Sequence, residues 1–512
     1  MRYAAALTTM LQQAAETHLI RSDGQEDLCF GVWYTGTGES RVTSLVESLI
    51  LPHHGDRDVH GNVSFTAQYF ERALGVALAA EAGLCFMHSH PAPGWQGMSS
   101  DDVNTERSIA PAVCAATGLP LLGMTVGTDG AWSARRWEKI GPRQFERVWC
   151  DRVRVAGDYL AITYHPRLAP APPPEEALER TISAWGPGVQ ADLSRLTVGI
   201  VGAGSVGSII GEALARMGFR QVHLIDFDSV EEINLDRILH ATRSTIGMAK
   251  VGMLAAAYSK TASDKAFSCN AVEYSVVERE GFQAALDCDL LFSCVDRPWA
   301  RSVLNAIAFL HLIPVIDGGI RAQPTPHMKG LRRADFRAHV VAPGRACLEC
   351  LGQYDSSLVG LEREGFLDNP SYIAELPPDH VARQKQNVFA FSLHTSALQL
   401  GQMISLVARP LGISDPGATI YHLVTNTLET GHTSCRPTCL FPSLTARGSS
   451  CDSAFVARHS AAEQERERRN QQRLADAVTL PEPKRGNLLR EGSRAFVRLK
   501  RWFQGESAAL KS

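Results

Sequence analysis

LTVGIVGAGSVGSIIGEALARMG, residues 196–218, restricts the folds open to this chain more than any other stretch. It reads as a short buried strand and then a helix, joined by Gly202-x-Gly204-x-x-Gly207. Glycines there permit a tight turn and a close backbone approach, and the helix N-terminus that follows attracts phosphate. The neighbouring runs QVHLIDFD, DLLFSCVD and IPVIDGG are short and nearly continuously apolar, as strands buried on both faces of a parallel sheet must be. Helical segments alternate with them. The sequence therefore predicts a doubly wound α/β domain from about residue 176 to 440.

Asp226 ends the strand after the glycine turn, where a carboxylate bonds a ribose hydroxyl. That much also fits an NAD-dependent oxidoreductase. The residues that follow, LIDFDSVEEINLDRI, resemble the family of ubiquitin-activating enzymes and the bacterial adenylyltransferases ThiF and MoeB. The resemblance implies a Rossmann-like ThiF-type domain in which Gly202, Gly204, Gly207, Asp226 and Asp228 cradle ATP. It further implies that Asn234, Arg237 and Lys250 of GMAK contact the phosphates and that Asp296 holds Mg2+. The chemistry is coherent, because a triphosphate attacked by a carboxylate needs cations to neutralise it, whereas hydride transfer builds no comparable charge. CLEC and SCRPTC supply Cys347, Cys350, Cys435 and Cys439, by the same resemblance a structural zinc set and otherwise plain buried thiols. Relatives that pass the activated protein to a thiol carry a cysteine in a mobile crossover loop. Residues 362–386 look like that loop without one, leaving Cys451 or a member of the zinc set as stand-in.

The first part of the chain has a different texture. LCFGVWY, RVTSLVESLILP and GLCFMHSH read as strands, and SFTAQYFERALGVALAAEAG as a helix capped by Ser64. Gly127-Thr128-Asp129-Gly130 is turn chemistry between two more strands, giving a small α+β domain. At its centre lies FMHSHPAPGWQGMSSDD. His88 and His90 alternate along a strand and so share a face, while Ser99-x-x-Asp102 is a capping pattern that would hold its carboxylate rigidly. Two imidazoles, a carboxylate and an open fourth position form a catalytic zinc geometry.

These residues resemble the JAMM (JAB/MPN) metalloproteases, which cleave at the C-terminal ends of ubiquitin-like proteins. The pattern is an upstream Glu, then HSHP, then Ser-x-x-Asp. The resemblance implies a base at Glu26, with Asp27 and Glu47 as alternatives, that takes a proton from zinc-bound water of pKa about 7. It also implies that Ser99 steadies the oxyanion. The stretch between His90 and Ser99 is one residue longer than usual, which admits Asp101 as ligand, although the capping pattern favours Asp102.

HPRLAPAPPPEE, residues 165–176, is the clearest joint. The chain then divides into a JAMM-like domain over 1–160, a linker over 161–178, an adenylation domain over 179–450, and a charged helix and tail over 451–512. A net charge of -3 gives no global attraction to nucleic acid or anionic membrane, and no apolar run is long enough to span a bilayer. The N-terminus lacks a signal-peptide core, so a cytoplasmic, reducing setting is expected and the twelve cysteines form no disulfide framework. The basic aromatic stretch 493–506 suits a partner protein, acidic lipid, nucleic acid or plain solvent, and receives no function.

Together the resemblances imply one protein that trims or releases the C-terminus of a ubiquitin-like or sulfur-carrier protein ending in Gly-Gly, then adenylates the freed carboxylate. A homodimer is implied, and a ubiquitin-conjugating-like enzyme is among the partners the resemblance allows. Three other readings stand: an N-terminal domain that only recognises the carrier, a ThiF-like enzyme acting on a small molecule or RNA base, and an NAD oxidoreductase.

Overall fold

A computed structural model of the chain describes residues 1–60, 62–325, 330–377 and 386–479. The N-terminal half is built on a nine-stranded sheet. Its elements in chain order are β1 (Arg2–Thr8), α1 (Thr9–Leu19), β2 (Leu28–Thr37), β3 (Arg41–Ile50), the hairpin β4 (Arg57–His60) and β5 (Asn62–Phe65), α2 (Ala67–Ala79), β6 (Gly83–Ser89), α3 (Ser100–Thr117), β7 (Leu121–Val126), β8 (Trp132–Gly141), β9 (Gln144–Trp149), β10 (Arg152–Ala156) and β11 (Leu160–Tyr164). The strand order is β11-β10-β1-β3-β2-β6-β7-β8-β9, with β4–β5 a separate pair.

Helix α2 does not begin at Ser64. Phe65 packs edge-on against Phe30, so Val63-Ser64-Phe65 is held as strand β5. Thr66 is the cap, its side chain accepting from Tyr69 N. Helix α3 starts in a capping box, Ser99 with Asp102, and ends at Gly118 in the left-handed region at φ +72°.

The second half carries α4 (Glu179–Arg195), β12 (Thr197–Val201), α5 (Ser205–Arg216), β13 (Gln221–Ile225), α6 (Lys250–Thr261), β14 (Ser268–Val272), α7 (Arg279–Leu286), β15 (Leu290–Ser293), α8 (Pro298–Leu310), β16 (Val315–Pro324), β17 (Leu331–Val341), α9 (Ser356–Arg363), α10 (Pro370–Glu375), α11 (Phe389–Ala408), β18 (Ala418–His422) and β19 (Thr427–Gly431). These form an eight-stranded sheet in the order β14-β13-β12-β15-β16-β17-β18-β19. The first five are parallel and the last three antiparallel. The order reverses beside β12, which has β13 on one side and β15 on the other. The strand runs legible in the sequence are the buried parallel ones. Edge strand β14 escapes that signal because SCNAV is largely exposed.

Met1–Glu465 is one compact unit; a second begins at Arg466, and of it the description covers the remainder of α12 (Ser460–Thr479). Within the first unit the two sheets share a core. Ala6, Leu45, Ala156 and Leu160 pack in one apolar cluster with Val198, Leu290 and Ile316. Asp289, just before β15, is fully buried among Arg41, Arg152 and Arg154 of the first sheet. Residues 441–459 strap the junction. Arg447 donates to Tyr34 Oη at 2.6 Å, Ser449 Oγ accepts from Thr37 N, and His311 meets Asp452 at 2.7 Å. The tail at 493–506 and part of the 362–386 stretch lie outside the described residues. No helix among the described residues is long and apolar enough to cross a membrane.

Candidate functional sites

His88 lies near the carboxyl end of β6, and His90 directly follows that strand. Asp102, in the first turn of α3, meets both. Its Oδ1 is 3.4 Å from His88 Nε2 and its Oδ2 is 3.3 Å from His90 Nε2. The capping box holds the carboxylate there: Ser99 N donates to Asp102 Oδ2 at 2.7 Å and Asp102 N donates to Ser99 Oγ at 3.1 Å. The three ligand atoms lie within 4.8 Å of one another, and this cluster contains Asp102 rather than Asp101.

Glu26 sits just before β2, with Oε1 3.9 Å from His90 Nε2. Its neighbour Asp27 is committed elsewhere, accepting from Arg57 Nε and Nη2. Asp27 also fixes the approach of this segment, since its N donates to Ser89 Oγ and its carbonyl accepts from Ser89 N. Glu47 is exposed on β3.

The electrostatics favour a cation. Burial lowers the His88 pKa, favouring the neutral imidazole, the form that binds metal ions. Burial alone would raise the Asp102 carboxyl, but the adjacent His88 and His90 rings and the Ser99 N–H hold it far below the carboxylate range. Burial, helped by the nearby Asp102 charge, pushes Glu26 upward against the pull of His90.

Sequence reasoning does not find the layer behind these ligands. Arg135 on β8 is fully buried and pairs with Glu106, one helical turn beyond Asp102 on α3. Trp137 Nε1 donates to the same carboxylate at 2.7 Å. The available signal is the i, i+4 spacing of Asp102 and Glu106, two carboxylates on one face of a helix.

The second site forms where the strand order reverses, outside the carboxyl ends of β12, β13 and β15, the crevice in which open α/β sheets bind ligands. Gly202 has φ +97°, and a Cβ there would lie 2.6 Å from Cys294 O. Gly204 caps α5. A Cβ on Gly207 would stand 1.9 Å from Gly202 O, so only glycine fits.

Asp226 braces the turn, accepting from Ala203 N and Asp228 N at 2.7 Å each. Lys250, at the start of α6, donates to Asp228 Oδ2 at 2.7 Å. Burial would lower its pKa, but the charges of Asp226, Asp228 and Asp296 raise it and keep the ammonium charged. Asp296 is exposed beyond β15. Asn234 is buried and its Oδ1 accepts from Glu231 N. Arg237 folds back onto its own turn, donating to Ile233 O and to Asp236. Asn387, which no sequence pattern singles out, reaches the same turn by donating to Ser205 Oγ at 2.8 Å.

Cys347, Cys350, Cys435 and Cys439 gather although the two pairs lie far apart along the chain. Cys347 and Cys439 sulfurs are 3.6 Å apart, and the thiols accept backbone N–H bonds from Cys347, Cys350 and Arg436. Burial acts to raise the Cys350 thiol, but the Arg436 N–H and neighbouring thiols bring it down to about 7. Four convergent thiols suit a tetrahedral soft ion. Cys451 lies outside that cluster.

Residues 178–402 match the model of the ThiF family. The ubiquitin-like modifier-activating enzyme 5 of Drosophila willistoni is 28% identical over 182 residues, covering 33% of this chain and 43% of that protein. The enzyme of the same name from Bombyx mori is 32% identical over 120 residues, covering 21% of this chain and 30% of the other. The chain thus spans less than half the length of these curated relatives. A crystal structure of E. coli MccB with ATP is similar at 16% identity and a TM-score of 0.40, covering 52% of this chain and 75% of that one.

Proposed function

From the ThiF family domain at residues 178–402, we propose that this chain adenylates the C-terminal glycine carboxylate of a small ubiquitin-like or sulfur-carrier protein, and that its N-terminal domain first hydrolyses a peptide or isopeptide bond at that same terminus. The observation that carries the first half is the gathering of Gly202, Asp226, Lys250 and Asp296 at one sheet crevice within the matched residues. The nucleophile is the carrier carboxylate, which attacks the α-phosphorus of ATP. The bond to the β-phosphate bridging oxygen breaks, and pyrophosphate leaves as the acyl-adenylate forms. Lys250 neutralises charge at the phosphates, Asp226 bonds the ribose, Asp228 orients Lys250, and Asp296 is the residue to hold Mg2+. Asn234 and Arg237 lie in the turn beside them, and Arg237 must swing from its present partners to reach a phosphate.

The second half rests on His88, His90 and Asp102 with Glu26 beside them. The donor set fits zinc: two imidazole nitrogens and one carboxylate oxygen, with no further ligand in the cluster among the described residues. Bound there, zinc supplies a Lewis acid that makes water nucleophilic near neutral pH. In this reading Glu26 takes the proton, supported by its carboxylate lying 3.9 Å from His90 Nε2, and Ser99 offers a hydroxyl to the carbonyl oxygen. The cysteine quartet is a structural zinc site in this reading. The domain assignment follows: a JAMM-like peptidase over 1–160, a linker over 161–178, an adenylation domain over 179–450 and a helix and tail over 451–512, acting as a homodimer.

Pyrophosphate exchange with small proteins ending in Gly-Gly tests the adenylation. Exchange by the wild type that Asp296→Ala abolishes supports it; exchange undiminished by that change rejects the role given to Asp296.

A further inference from the structure

Behind the His88 cluster lies a hydroxyl that the hydrolytic reading does not use. β6 and β7 run parallel with His88 beside Thr125, whose Oγ1 is 3.3 Å from His88 Nε2. The same oxygen accepts from Arg135 Nη1 at 2.5 Å. Thr125, Arg135 and Glu106 are all 0% exposed, so water does not compete for these groups. Gly123 leaves the space they occupy, because a Cβ there would fall 2.5 Å from the Glu106 oxygens and 2.6 Å from Arg135 Nε.

A guanidinium only donates, so Arg135 takes a lone pair of Thr125 Oγ1 and leaves the hydroxyl proton to point elsewhere. Among the described residues, the polar partner on that side is His88 Nε2. A metal-ligating imidazole is ordinarily held through its other nitrogen by an outer acceptor. Here His88 Nδ1 is buried with no such partner among the described residues, so the ring is held from its ligand side instead.

We propose that Thr125 is a positioning residue of the His88–His90–Asp102 cluster. Its hydroxyl, turned inward by the buried Arg135–Glu106 pair, donates to the lone pair that His88 offers a metal ion. The ring is thereby kept aimed, and an ion must displace this hydrogen bond to bind. The inference rests on reading the cluster as a metal site.

Cobalt(II) titration of the full chain tests it, with wild type, Thr125→Val, Thr125→Ala, Thr125→Ser and Asp102→Ala compared. Thiolate charge-transfer bands report the cysteine quartet, while d–d bands without them report the histidine cluster. Removing one competing hydrogen bond should tighten cobalt binding at the histidine cluster roughly five- to tenfold in Thr125→Val and Thr125→Ala. Thr125→Ser should match the wild type, since it keeps the hydroxyl. Equal or weaker binding by both the valine and alanine variants would overturn the role of Thr125 while leaving the metal site standing. A wild-type spectrum with thiolate bands alone, indistinguishable from that of Asp102→Ala, would overturn the metal reading and this inference with it.

Discussion

Arg41 donates to Asp289 at 2.7 Å with neither side chain exposed, although Arg41 lies on β3 of the first sheet and Asp289 directly precedes β15 of the second. Arg152 and Arg154 reach the same carboxylate from the first sheet, and Thr197 N donates to it from the second. A proline-rich joint therefore does not leave these halves loosely tethered. They share a buried ionic centre as well as an apolar core.

Breaking that centre should be costly. Asp289→Ala takes the shared carboxylate from three arginines, of which Arg152 keeps Asp151, and should destabilise the chain by about 3–5 kcal/mol, the usual cost of orphaning a buried charge. Denaturant midpoints of wild type and variant measure this. Burial acts to raise the Asp289 carboxyl, but the three arginines hold it well below its ordinary value of 3.8. A depressed folded pKa gives stability that is complete above the unfolded value and drains as pH falls below it. Wild type should thus lose stability below about pH 4, and Asp289→Ala should lose less over that interval.

Glu362 should act in the opposite direction. It is buried on α9 and accepts from Trp299 N at 2.8 Å. Burial pushes its pKa from 4.5 up to about 7. A raised folded pKa gives stability that is complete below the unfolded value and is lost as pH climbs through the folded one. Wild type should weaken between about pH 5 and about pH 8 through this residue, and Glu362→Gln, which keeps an acceptor for Trp299 N, should flatten that slope. Thermal melts across the interval provide the check.

Gly207→Ala tests the glycine turn. The added methyl meets Gly202 O at 1.9 Å, and backbone must shift to relieve it. Nucleotide protection against heat should weaken by roughly tenfold or more, the effect of about 1.4 kcal/mol at the cradle. Protection equal to wild type would mean that the phosphates bind elsewhere.

The cysteine quartet predicts metal dependence of a different kind. Cys350→Ser should lower the zinc content measured by elemental analysis and the melting temperature together, and strong chelators should lower the melting temperature of wild type but affect the variant less. An unchanged zinc content would make the quartet plain thiols.

Much of both candidate sites is legible because it is local. HSHP, the capping box and Gly-x-Gly-x-x-Gly lie within short stretches whose spacing states their geometry. Asp102 rather than Asp101 meets the histidines for a physical reason, since a residue three beyond an N-cap points back at the cap. What escapes is nonlocal or solvent-facing. Thr125 meets His88, and Arg135 meets Thr125, through strand pairing, which no spacing in the chain encodes. Strand β10 is hidden because Arg152 and Arg154 look like surface residues until Asp289 is seen between them. Ser64 reads as a helix cap because the sequence does not reveal that Phe65 faces the Phe30 core.

The central claim is that one flexible glycine-ended tail visits both sites in order. The direct measurement is ATP–pyrophosphate exchange on a small carrier protein supplied in two forms, one ending in Gly-Gly and one extended beyond it, with wild type and Glu26→Gln compared. Wild type should exchange with both forms, whereas Glu26→Gln should exchange fully with the trimmed form and lose about a hundredfold or more with the extended one. Equal exchange by Glu26→Gln with both forms, or no exchange by wild type with the trimmed form, would contradict the account.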